Sequence, residues 1–254
     1  MLRVKFGDCS DHRKRRIQTI LLLKVGQRTR IVLLMFSCLA PRRMIDISKE
    51  SVFAMMNDGG THRKQFSHSS GVQKNKDRPT FSVPFDNCLV RHFLSGTGRR
   101  LTFNAQHNQH YCFLKSPQDI LEVEAWEMAQ GTRVFIRNTL TSTVALDLNF
   151  LDNETGTKTL VGAHEEAAKH YKSEESIAFL VEQSRNLIGS IDYLAKADFI
   201  CGVPAPVEKG FDLPTRVAVD LSKMIEIPDI TECFNVTHKP KSLKSCTLDE
   251  KWDA

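Results

Sequence analysis

The chain has 254 residues, 41% hydrophobic and 26% charged, a balance that excludes wholesale disorder. With 13 glycines and 9 prolines it is neither collagen-like nor low in complexity, and no apolar run approaches the ~20 residues of a spanning helix. The net charge of +5 is uneven: residues 1–44 carry 11 Lys/Arg against 2 Asp/Glu, and the remainder 24 against 28.

This charge pattern divides the chain into a basic N-terminal extension (1–43), a mildly acidic body (44–238) and a polar C-terminal tail (239–254). A basic end suits nucleic acid or an anionic membrane surface, and reads equally as a solvated tail or a targeting extension. The 7 cysteines are odd in number and form no C-x-x-C pair, which argues against a disulfide framework or a zinc ribbon. Reduced thiols are the expectation.

In chain order, the apolar run 31–40 has the length of a signal-peptide core and reads equally as a strand. Sequons at Asn153 and Asn235 would suit a secreted glycoprotein, and Met44 offers a second start that removes the basic block. A short helix is expected after Asp46 or Ser48, stopped by Gly59 and Gly60. Residues 61–79 form a polar, basic loop. A strand follows over 80–83, then a helix capped by Asp86 and carrying Leu89, Val90, Phe93 and Leu94. Gly96 and Gly98 break it. Residues 100–104 and 111–114 alternate as strands around a polar loop. Ser116-Pro117 with Asp119 is the clearest helix start in the chain, and Gly131 is its stop.

Beyond Arg133, β-branched and aromatic residues predict strands over 134–136 and 139–150, with turn chemistry at 152–156. A short strand is expected at 159–161 and a helix over 163–172. Residues 177–181 fit either state, 199–203 form an apolar run, and 215–221 read as a strand. The expected fold is therefore mainly β with helical insertions.

Three constellations invite chemistry. His107, His110 and Cys112 lie close in sequence, but no second cluster completes a metal site, so loop histidines are the plainer reading. Gly96-Thr-Gly-Arg-Arg100 has the composition of a phosphate loop without its full pattern, and reads as a turn. Asp147, Asp152 and Asp192 suggest a primase-like, metal-dependent nucleotidyl transferase, although Asn149 stands where a second alternating carboxylate would help hold the cations.

One ordered series carries a resemblance. The strand Val144-Ala-Leu-Asp-Leu-Asn-Phe-Leu-Asp152 ends in aspartate, and Leu160-Val-Gly162 follows. Next come Ile177-Ala-Phe-Leu-Val181 and Gly210-Phe-Asp-Leu-Pro214, the last leading into 215–221. Together with Ile45-Asp-Ile-Ser-Lys49 this resembles the 30K superfamily of plant-virus movement proteins over about residues 144–221. The resemblance implies a jelly-roll-like β-sandwich without catalytic residues, cofactor or metal, with Asp152 as a structural and functional aspartate. It implies binding of single-stranded nucleic acid, self-association, and contacts with membrane surfaces or host plasmodesmata, in host cytoplasm. Candidate phosphate contacts are then Arg63, Lys64, Lys74, Lys76, Arg78, Arg99 and Arg100, with Phe66 and Phe81 as candidate stacking rings. The alternatives are the nucleotidyl transferase and the secreted glycoprotein.

Overall fold

A computed structural model describes the backbone of 19–25 and 29–36, together with residues 50, 65–67, 79–86, 88–136, 143–152, 154–203 and 210–234. Asp46 and Ser48 with their helix, Arg63, Lys64, Lys74, Lys76, Arg78, Asn153 and Asn235 lie outside these residues.

The elements follow in order. The first strands are β1 (Thr19–Val25), β2 (Thr29–Phe36), β3 (Gln65–Phe66) and β4 (Thr80–Val83). Helix α1 (Leu89–Thr97), β5 (Thr102–Asn104), β6 (Gln109–Phe113) and α2 (Pro117–Ala129) come next. Strands β7 (Val134–Ile136), β8 (Val144–Ala145), β9 (Phe150–Asp152) and β10 (Thr157–Lys158) lead into the helices α3 (Leu160–Tyr171), α4 (Glu174–Ser190) and α5 (Asp192–Ala195). Strand β11 (Phe199–Gly202), α6 (Leu213–Ile225) and a 3-10 turn at Thr231–Cys233 complete the described chain.

The expected mainly β, jelly-roll-like β-sandwich is not what forms. The described part is 50% helix and 19% strand, and its sheets hold two or three strands each. Their orders are β1-β2-β11, β3-β7-β8, β4-β6-β5 and β10-β9. The difference lies in the second half, where local helix signals outweigh β-branched composition. Thr159, expected to open a strand, instead caps α3 by accepting from the Gly162 amide at 3.0 Å. Ser173 caps α4 in the same way, so 177–181 is helical. Residues 215–221 lie inside α6: Asp212 accepts from the Thr215 amide at 3.2 Å, and Pro214 sits in the first turn. Val217, Ala218 and Leu221 then share the buried face.

Other expectations hold. Residues 31–36 are strand, since β2 pairs antiparallel with both β1 and β11. Helix α2 opens with a capping box between Ser116 and Asp119, and Pro117 follows at its first position. Helix α1 starts later than Asp86 would place it. Cys88, at φ 62°, occupies the cap position and supplies no side-chain cap, while Leu89 and Phe93 are buried.

The core is continuous from the β4-β6-β5 sheet through α1 and α2 to the α3–α4–α6 layer. Its densest part is aromatic. Phe81 stacks on Phe93 at 4.7 Å between ring centroids, Phe93 meets Trp126 edge-on at 5.0 Å, and Phe66 lies 6.2 Å from both Phe81 and Trp126. Close helix packing requires Gly96, where a Cβ would stand 2.6 Å from the Trp126 ring. Gly96 is thus a packing position within α1 and no part of a phosphate loop.

Two features of α3 generate stability predictions. At Gly162 a Cβ would lie 2.3 Å from the Asn149 carbonyl oxygen, so backbone meets backbone. Gly162→Ala should cost about 1–3 kcal/mol and lower Tm by roughly 3–10 °C. An unchanged thermal melt would contradict this packing. Glu165 is buried, its Oε1 has no partner among the described residues, and burial pushes its carboxyl up to about 7. In the unfolded chain it titrates near 4.5. The folded state therefore holds the proton more tightly, and this advantage, present below pH 4.5, is lost as pH rises through 7, at a cost of roughly 3 kcal/mol. Glu165→Gln should be more stable than the parent at pH 8 and should lose this part of the pH dependence in denaturant titrations at pH 5 and pH 8.

Candidate nucleic-acid interface

Strand alternation sorts the β4-β6-β5 sheet into two faces. On the inner face Phe81 and Val83 are fully buried, and Phe81 and Val83 are opposed by Cys112 and His110. On the outer face Thr80 opposes Phe113, and Ser82 and Thr102 oppose Tyr111 from either side. Asn104 opposes Gln109 beyond them. A large ring thus stands in solvent on a small polar sheet: Phe113 is 49% exposed. Tyr111 meets it edge-on at 5.3 Å between centroids.

The hairpin that presents this face is fixed locally. Asn104 accepts from the Gln106 and His107 amides at 3.0 and 3.3 Å, forming an Asx turn, and Asn108 takes the left-handed conformation that its residue type tolerates. At the other end the Leu114 amide donates to the Pro79 carbonyl at 2.9 Å, and the Lys115 amide to Asp119 at 2.7 Å.

The two adjacent arginines have different environments. Arg99 is half-buried, and its guanidinium reaches Asp119 at 2.8 Å and Glu122 at 2.7 Å. It braces the end of α1 against the first turns of α2. The Ser116 hydroxyl and the Lys115 amide, helped by Arg99, hold the Asp119 carboxyl down to about 2. The Arg99 hydrogen bond in turn lowers Glu122. Arg100 is exposed two residues before β5, and Lys115 is exposed two residues after Phe113. Neither forms an ion pair among the described residues. The outer face is therefore flanked by two free cations.

Phe66 and Phe81, expected as stacking rings, are 1% and 0% exposed and belong to the core. Two phenylalanines of the sheet meet water instead, Phe113 on the outer face at 49% exposure and Phe103, opposite His110, at 54%, with Tyr111 half-buried beside Phe113. Apolar side chains occupy both faces of β6, so alternation alone does not say which face turns outward. The pairing with β4 decides it.

The three carboxylates each accept a hydrogen bond, two of them locally and Asp192 from a distant helix. Asp152 is exposed at the end of β9 and accepts from the Glu154 amide at 2.8 Å, which lowers its carboxyl and caps the turn into β10. Asp147 accepts from the Leu148 amide at 2.7 Å, and Asp192 from the Ser95 hydroxyl at 2.9 Å. Among the described residues no three His, Cys, Asp or Glu side chains converge as a metal site, and His107, His110 and Cys112 form none. No helix among them is long and apolar enough to cross a membrane. No family model, curated protein or solved structure matches the chain.

Proposed function

We propose that the chain binds single-stranded nucleic acid, without strong sequence preference, on the outer face of the β4-β6-β5 sheet. The observation that carries this reading is the solvent-facing Phe113–Tyr111 pair between the free cations Arg100 and Lys115. Unpaired bases offer flat faces that stack on such rings whatever their sequence, and phosphates between them are neutralised by flanking Lys and Arg. A duplex hides those base faces, so single strands should be preferred. The basic residues Arg63, Lys64, Lys74, Lys76 and Arg78 of the sequence extend the same electrostatic reading. Cell-to-cell movement, self-association and plasmodesmal contact rest on the sequence resemblance alone.

Fluorescence anisotropy with a labelled single-stranded oligonucleotide tests the proposal. Phe113→Ala should weaken binding by about 5- to 150-fold, the equivalent of 1–3 kcal/mol for one lost stack. Its thermal melt should stay close to the parent because the ring is half in water. Arg100→Ala should weaken binding less and reduce the slope of log affinity against log salt by about 0.7. Equal affinity of the parent and Phe113→Ala would overturn the reading.

A further inference from the structure

A second site lies on the other side of the aromatic core. Helices α1 and α2 run antiparallel: Arg99, just past the end of α1, bonds the start of α2, whereas His92 bonds Gln130 at its end. Between them is an open cleft of about 530 Å³, bordered also by Ser190 at the end of α4. Its size falls in the range of small-molecule sites.

One wall is apolar and close to smooth, because Ala125 and Ala129 are one turn apart on α2 and Gly96 faces them. The far end is different. Arg133 lines the cleft half-buried, and among the described residues no hydrogen bond or ion pair engages its guanidinium. The nearest helix-end carbonyls are already used: Glu127 and Met128 accept from the Gln130 and Gly131 amides, and Gln130 accepts from the Arg133 amide. Gln130 is spent as well. Its Nε2 donates to the Trp126 carbonyl at 2.7 Å, so its Oε1 accepts the imidazole N–H of His92 at 2.8 Å.

Of the acids near the cleft, Glu122 is paired with Arg99, whereas Asp192 of α5 accepts from the neutral Ser95 hydroxyl and acts electrostatically on His92. Burial, with Arg133 nearby, lowers the pKa of His92 against the Gln130 hydrogen bond. Burial likewise disfavours the Arg133 cation. The Arg133 guanidinium is half-buried and its donors are open to the cleft, where an oxyanion can take the place of water.

We propose that this cleft binds a small organic anion, its carboxylate or phosphate group taking the free donors of Arg133 and its body lying along Ala125 and Ala129. A planar oxyanion edge suits the guanidinium fork, which can bind it in bidentate fashion.

Benzoate and phenyl phosphate share one body and differ in the charged head, so calorimetric titration of both into the full 254-residue chain tests the site and sorts carboxylate from phosphate. Saturable binding of at least one is expected. Arg133→Gln should weaken it at least tenfold while melting close to the parent, since the guanidinium has no partner among the described residues. Ala129→Leu, which fills the apolar side and keeps the guanidinium, should also weaken binding, and Phe113→Ala should leave it unchanged. The proposal is overturned if neither anion binds, if Arg133→Gln binds as tightly as the parent, or if Arg133→Gln melts below the parent, which would make Arg133 a structural residue.

Discussion

The contact between Phe81, Phe93 and Trp126 holds three elements in one place. Phe81 comes from β4, Phe93 from α1 and Trp126 from α2, and all three are at most 6% exposed. Once Phe81 is committed to this cluster, strand pleating leaves no choice for its neighbours. Ser82 must face outward, and the register with β6 turns Tyr111 and Phe113 outward beside it. The same packing brings α1 onto α2 and thereby shapes the cleft beneath Gly96. Both proposed sites are consequences of one buried cluster, on opposite sides of it.

Electrostatics refines what packing places. Arg99 and Arg100 are adjacent, yet one is a brace and the other is free, because only Arg99 lies within reach of Asp119 and Glu122. Asp119 is itself oriented by the Ser116 cap. Exposed ion pairs contribute little on their own, but this one joins two helices whose spacing sets the cleft. Arg133, like Arg100 and Lys115, pairs with no acid among the described residues.

The sequence disclosed the local rules and concealed the long-range ones. Ser116-Pro117 with Asp119 announced α2 because capping chemistry is contained within four residues. Asp212 and Pro214 carry a similar signal for α6, but Val217 and Val219 beside it suggested a strand, and propensity misled where burial decided. Strand is kept at the start of the 144–221 series, in β8 and β9, whereas Gly162, Ile177 and Val217 sit on helices. Phe66, Phe81 and Phe113 are alike as residues. Which of them meets water depends on a cross-strand register that no single segment contains. Arg133 gave no signal at all, since its isolation is a property of what surrounds it in space.

Ultraviolet cross-linking of a uridine-containing single-stranded RNA to the protein, with the attached peptide mapped by mass spectrometry, tests the central claim most directly. The expected adduct lies on Tyr111 or Phe113, within 109–115. Adducts confined to other segments, with the outer face of the β4-β6-β5 sheet unmodified, would contradict it.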